Sequence, residues 1–347
     1  MDAAMISRKT AIAVTLFAIL AAYTGYWFYA RSIAVQAIDN WAEQRRAEGY
    51  TVGFAAPEIG GFPLLIRAVL AKPHLQRDAL EWRGERMKIE LQPWSFRKIR
   101  IDLEGKQWLT LQEGAERMTL APSEAAIVAR LSETGRLDNA ALLMRDLQVT
   151  NPASVSLLQA AEIWLEAKAP QTPPASHADE SLALALSAAD IVLPKNIDGP
   201  LGRNLAKLRA DLQIRGAVPG GAFAEAVETW RRSGGTVDVD WFQVNWGELD
   251  LRAKGTVALD DQSRPLGAFS TDIRGHNHAV DALVALGVLE LGTATMTKIG
   301  LALLAKSPPE GGPPVLTLPV TAQDGHLYAG PLKVLDLDPI RLPTLQK

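Results

Sequence analysis

Two hydrophobic patterns divide this chain. The first is an unbroken apolar run, "TAIAVTLFAILAAYTGYWFYA", from Thr10 to Ala30, with no charged residue inside it. As a helix, about 21 residues rise roughly 30 Å, the thickness of a bilayer's hydrocarbon core. Arg8 and Lys9 precede the run and favour a cytoplasmic N-terminus. Tyr23, Tyr26, Trp27, Phe28 and Tyr29 fall where an aromatic belt would meet the far interface. Two rivals stand beside a membrane anchor. One is a buried core helix. The other is a cleaved signal peptide, which has a shorter apolar core followed by a small-x-small cleavage site. Here bulky aromatics and then Arg31 occupy that region, so the pattern predicts a retained anchor. The nearest later stretch, Ala279 to Leu304, carries Asp281, Glu290 and Lys298. The expected layout is a cytoplasmic segment 1–9, a span 10–30 and everything from about residue 31 outside the cytoplasm. In a two-membrane bacterium that is a single-pass inner-membrane protein with its bulk in the periplasm.

The helical period continues past the span. In "RSIAVQAIDNWAEQRRAEG", Ile33, Ala37, Ile38 and Trp41 make a stripe at helical spacing. Arg45 and Arg46 suit the dipole of the last turns, and Gly49 ends the helix, giving an extension over 31–48.

From Tyr50 the period becomes two. "ERMKIEL" sets Met87, Ile89 and Leu91 against Arg86, Lys88 and Glu90, and "AKLRADLQIRG" sets Leu208, Ala210, Leu212 and Ile214 against Lys207, Arg209, Asp211 and Gln213. "ELDLRAKGTVALD" continues the alternation. This is the signature of antiparallel strands with one wet face. "SLALALSAADIVLP" departs from it. Leu182, Leu184 and Leu186 alternate with Ala183 and Ala185, which predicts a strand covered on both faces. Some ten to fourteen strands are expected on this pattern. The fold class is therefore mainly β (α+β): a large curved antiparallel sheet or a two-layer β structure over 49–347, with a few covering helices. Those helices are "GGAFAEAVETWRRSGG", with a stripe of Phe223, Ala226, Val227 and Trp230, and the nearly all-apolar "NHAVDALVALGVLE" and "TATMTKIGLALLAKS". The Pro- and Ser-rich stretch 169–181 is a candidate sub-boundary, and "SPPEGGPP", Ser307 to Pro314, a stiff connector.

Composition narrows the function classes. A net charge of -3 gives no nucleic-acid footprint. With no cysteine, disulfides, thiolate metal sites and Cys nucleophiles are excluded. No G-x-S-x-G elbow, phosphate loop, H-E-x-x-H or dinucleotide fingerprint occurs in the sequence. Two of the five histidines, His276 and His278, share a face if "GHNH" is extended, as a pair of metal ligands would. The alternative is a polar turn ending the strand "FSTDIRG", and His74, His177 and His326 are scattered elsewhere. Asp260–Asp261 reads as a hairpin turn and Asp336–Asp338 as a second carboxylate pair. Trp82, Trp94, Trp108, Trp164, Trp230, Trp241 and Trp246 are expected mostly to fill a sheet core. No catalytic, cofactor-binding or metal-binding residue is assigned, and no cofactor is expected.

The stretch "IGGFPLLIR", Ile59 to Arg67, is the most distinctive local motif. Pro63 cannot donate to a ladder and belongs at a strand start or edge. Gly60 and Gly61 permit a tight approach, letting Phe62 pack over the sheet. Strand start is favoured over a binding loop. With this motif after the N-terminal anchor and a short helix, and with the following "LEWRGERMKIELQPWSFRKIRIDL", the chain resembles a family of uncharacterised membrane-anchored bacterial proteins, Domain of Unknown Function 2125. The family's Gly-[FY]-Pro motif maps to Gly61, Phe62 and Pro63, a Trp-Gly element to Trp246 and Gly247, and a late Gly-Pro to Gly330 and Pro331. One departure is "GFPLLIR", where the family usually shows a second aromatic or an Arg soon after the Pro. More distantly, the amphipathic strands resemble AsmA-like envelope proteins. The resemblance implies location and architecture, and carries over no catalytic residue.

The function expected from anchor, amphipathic sheet and apolar helices is non-enzymatic. The partners are the inner membrane through residues 10–30 and a lipid or other amphipathic envelope molecule. The alternatives are an assembly factor with an envelope protein partner and, second, a periplasmic hydrolase built from His74, His276, His278 and distant acids.

Overall fold

The computed structural model describes residues 8–77, 80–110, 117–197, 199–219, 223–285, 287, 289–306 and 313–340. Residues 1–7 and most of the Ser307–Pro314 connector lie outside the described residues. The chain is 52% strand and 23% helix, and its strand pairing is antiparallel, so the mainly-β class holds. It divides into two compact units, Met1–Ala115 and Glu116–Lys347. The Pro- and Ser-rich stretch 169–181 connects two strands that pair with each other.

The first unit opens with α1 (Arg8–Ala47), 40 residues without a break. The apolar run and the extension are thus one helix of roughly 60 Å. It is long and apolar enough to cross a membrane. Short strands β1 (Thr51–Gly53) and β2 (Glu58–Gly60) lead to β3 (Ile66–Ala71) and β4 (His74–Arg77). These last two lie end to end along β5 (Leu80–Gln92), and β6 (Ser95–Thr110) pairs with its other edge. Trp27, Ala30 and Ala34 of α1 pack with Ile66 as the core of this unit, each at most 4% exposed. The buried stripe continues to Ala42, at 1%. This corrects the stripe read from sequence: Trp41 is 48% exposed and Ile33 lies at the surface. Small alanines face the sheet because they let the helix approach it closely, and the larger neighbours are left outside.

In the second unit, β7 (Met118–Ala121) flanks a long meander. Its strands are β8 (Glu124–Leu131), β9 (Leu137–Thr150), β10 (Ser156–Lys168), β11 (Glu180–Val192) and β12 (Asn204–Arg215). After α2 (Phe223–Arg232) come β13 (Thr236–Trp246), β14 (Leu249–Leu259) and β15 (Pro265–Arg274). The helices α3 (His276–Ala285) and α4 (Leu291–Leu304) precede β16 (Leu316–Gln323), β17 (His326–Ala329) and β18 (Leu332–Asp336). From β8 to β18 every strand pairs with the next. Hairpin connections and period-two alternation make this sequential order the simplest one.

Candidate functional site

The meander's register brings the apolar residues of successive strands into shared rows. One row runs Ile127 (β8), Leu142 (β9), Leu165 (β10), Leu186 (β11), Ala210 (β12) and Phe242 (β13). The next runs Ala167, Leu184, Leu212 and Val239. One face is therefore apolar across the meander, and at its far side it continues onto Leu316, Leu318 and Val320 of β16 through Ile273, Thr271 and Phe269 of β15.

Cover over this face is uneven. α3 and α4 lie on the β16 side. Val280, Leu289, Ala294 and Leu301 pack there with Leu316 at 0% and Leu318 at 6% exposure. At one end of β10–β12, Ala160, Ala188 and Ile191 form a second closed cluster with Leu193 and Leu208. Between these covers the apolar side chains stay part-exposed. Leu142, Leu184, Leu186, Leu212, Ile214, Val239 and Phe242 are half-buried, and Leu165 is 38% exposed. Strand neighbours alone give that degree of shielding, whereas a second layer brings burial like that of Leu316. The open area is about six strands wide at 4.8 Å and four side-chain rows deep, on the order of 500 Å². That is at the upper end of what a monomer leaves uncovered, a range where patches are often functional.

The opposite face is wet and charge-paired. Arg145 bridges Glu124 at 2.9 Å and Glu162 at 3.5 Å, Arg209 meets Asp211 at 2.8 Å, and Arg274 meets Asp250 at 3.0 Å. The Arg215 guanidinium, with Thr256, holds the Asp238 carboxyl below its ordinary value. On this face Ala183 and Ala185 sit in a shallow hollow of ≈ 140 Å³ between Glu166, Lys168, Asp211 and Gln213. The expected cover on both faces of β11 is therefore absent: its leucines line the open apolar face and its alanines are overhung by long polar neighbours.

Each motif residue has a structural setting. Gly61 has φ +100°, and a Cβ there would stand 2.7 Å from the Leu65 carbonyl oxygen. The backbone N–H of Leu65 donates to the Gly61 carbonyl at 2.9 Å, closing the turn. Phe62, preceding a cis Pro63, meets the Trp27 ring edge to face at 5.4 Å. The GFP motif is thus a turn into β3 seated against α1. Trp246 donates its indole N–H to the Gly202 carbonyl at 2.9 Å, and a Cβ on Gly247 would lie 2.5 Å from the Leu201 carbonyl oxygen. That pair tucks the β11–β12 connection against the β13–β14 turn. Gly330 and Pro331 form the β17–β18 turn, with the Gly330 N–H bonded to the Pro319 carbonyl.

His276 and His278 fall in the first turn of α3, not on a strand, so residues two apart diverge. His276 is 8% exposed with neither ring nitrogen hydrogen-bonded, and burial pushes its pKa below the ordinary value. His278 is exposed. His74 on β4 stands 3.5 Å from Glu81, and His326 is bonded to Asp336 at 2.5 Å. Among the described residues no three His, Asp or Glu side chains converge as a metal site. Asp260 ends a strand as expected: its carboxylate accepts from the N–H groups of Gln262 and Arg264. Among the seven tryptophans expected mostly in a sheet core, Trp230 is buried, at 8%, while Trp94 is 56% exposed.

Fold and site together define a mainly-β protein with a long apolar N-terminal helix and an open apolar sheet face. The chain belongs to the bacterial family described as "Uncharacterized protein conserved in bacteria (DUF2125)", whose model matches residues 27–338. No curated protein matches it. The match begins at Trp27, the first buried residue among the described side chains of α1.

Proposed function

We propose that this is a single-pass inner-membrane protein, N-terminus inside and bulk in the periplasm, that holds the acyl part of a lipid or similar amphipath against the open apolar face of β9–β14. One contrast carries the reading: along one continuous face Leu316 is 0% exposed under α3 and α4, while Leu165 is 38% exposed. Apolar side chains in shared rows across β9–β14, with the charged side chains on the other face, suit a ligand recognised by hydrocarbon and not by hydrogen bonds. Each methylene removed from water contributes about 0.8 kcal/mol, so the gain grows with the length of chain that the face covers.

The test is photocrosslinking of the full-length chain in phospholipid vesicles containing a diazirine-bearing acyl chain. Adducts are expected on β10–β13 peptides, and the double variant Leu186→Glu, Leu212→Glu should lose them while keeping a wild-type circular dichroism spectrum. Adducts confined to α1 would defeat the proposal. A second reading, an assembly factor with an envelope protein partner, is favoured by the outer side of α4, where Leu291 is 77%, Met296 72% and Leu303 82% exposed. It predicts that Leu303→Glu releases a co-purifying protein without affecting lipid adducts.

A further inference from the structure

The first unit carries a second set of exposed apolar side chains, and these sit beside the membrane helix. The turn between β2 and β3 and the hairpin between β5 and β6 both reach α1 inside its apolar run. Tyr23 donates its hydroxyl to the Pro63 carbonyl at 2.5 Å, and Tyr26 donates to the Pro93 carbonyl at 2.7 Å. The Trp27 indole N–H donates to the Leu65 carbonyl at 3.0 Å. These contacts lie three to seven residues before Ala30, about 5–10 Å back along the helix axis from the end of the run. At that level Phe62 is 49%, Leu64 63% and Trp94 56% exposed, beside Phe28 at 57% and Tyr29 at 65% on the helix.

Two features fit these tips for a low-dielectric setting. Backbone polar groups at membrane depth must be satisfied within the protein. Pro63 and Pro93 have no N–H to satisfy, and their carbonyls accept from Tyr23 and Tyr26. The Leu65 carbonyl accepts from Trp27, and the Leu65 N–H is bonded to Gly61. Beyond Trp94, Arg97 and Lys98 are exposed at the start of β6, where cations would meet anionic headgroups.

We infer that the two tips, carrying Phe62, Leu64 and Trp94, form a collar around α1 that inserts into the periplasmic headgroup–acyl boundary of the membrane that α1 spans. Continuity selects the occupant: the surface adjoins the apolar helix and is held to it by three hydrogen bonds, so any bilayer around residues 23–30 also surrounds the tips. The inference rests on the membrane-anchor part of the proposed function. It adds that the first unit is seated in the interface at a fixed depth and does not hang on a tether.

The chain has no cysteine, so single-cysteine variants of the full-length protein can be labelled cleanly. Phe17→Cys reports the span, Leu64→Cys and Trp94→Cys the collar, and Glu43→Cys a point about 20 Å beyond Ala30 on α1. Each carries an environment-sensitive nitrobenzoxadiazole label in vesicles of phosphatidylethanolamine and phosphatidylglycerol at three to one. Nitroxide lipids of shallow and deep label position and aqueous iodide serve as quenchers. The expected result is deep-nitroxide quenching at Phe17, shallow-nitroxide quenching with several-fold reduced iodide access at Leu64 and Trp94, and full iodide access at Glu43. Iodide access at both collar sites equal to that at Glu43, with Phe17 still in lipid, would overturn the collar alone. Iodide access at Phe17 as well would overturn the anchor, and the collar with it.

Discussion

At the scale of single residues, the informative positions are a histidine without partners and two glycines in opposite circumstances. His276 was a candidate ligand by its spacing from His278, yet the structure buries its ring with both nitrogens unbonded. Its folded pKa lies below the ordinary 6.5 because burial disfavours the cation. The unfolded chain therefore binds a proton more readily as pH falls below about 6.5. Stability from this site is complete above that value and is lost as pH drops through the lowered folded pKa. His276→Leu should match wild type within about 1 kcal/mol at neutral pH, because no hydrogen bond is removed. It should also lose less stability between about pH 7.5 and 5.5. Thermal melts of both proteins across that window check this; equal slopes would show that another group is responsible. Gly235 lies under Trp230, whose ring would stand 2.3 Å from an added Cβ while its N–H is held by the Arg215 carbonyl. Gly235→Ala should cost about 1–3 kcal/mol by displacing that ring. Gly292, near the start of α4, has nothing within 4 Å of an added Cβ. Gly292→Ala should therefore stabilise by about 0.4–1 kcal/mol. Urea titrations of the pair would contradict the packing described if the two variants moved in the same direction.

At the scale of elements, α4 shows what the sequence could and could not convey. Its near-uniform apolarity marks a helix that meets apolar surface, and the structure presses one side onto β16 through Ala294 and Leu301. Which side is buried is set by neighbours far along the chain, so periodicity alone left it open. Leu301→Ala should cost about 2–5 kcal/mol. Leu303→Gln, two residues on, should change stability by no more than about 0.5 kcal/mol. Comparable losses for both in denaturant titrations would mean that the outer side is covered. The same logic explains the other elements. Strand alternation is local, so the period-two segments and the positions of α2, α3 and α4 were legible. The stripe on α1 was misread because hydrophobicity pointed to Ile33 and Trp41, whereas close approach to Ile66 selected Ala30 and Ala34. The open face of β9–β14 was not legible, because uncovered area is a property of what fails to pack.

At the scale of the whole molecule, the placement of the first unit's core has a consequence for where the folded protein begins. Hydropathy puts the edge of the extramembrane part near residue 31 or 49. The packing puts it earlier, since Trp27, Ala30, Ala34 and Ala42 of the long helix are each at most 4% exposed against the sheet or its approach. The family match also starts at Trp27. Removing one buried Trp costs about 3–5 kcal/mol. That is a large share of the roughly 5–15 kcal/mol available to a domain. A fragment of residues 49–347 lacks all four side chains and leaves Ile66 and Leu91 facing water. Amide exchange in β3 and β5 should then be fast in this fragment and slow in the full-length chain, while β11–β16 keep their protection in both, because the second unit has its own core around Leu316 and Leu318. A fragment starting at Tyr23 restores the helix contacts and should restore slow exchange in β3 and β5. Equal protection of β3 and β5 in the 49–347 fragment and the full chain would show that α1 is only a leash. Loss of that protection would show that the long apolar helix is part of the folded domain that follows it.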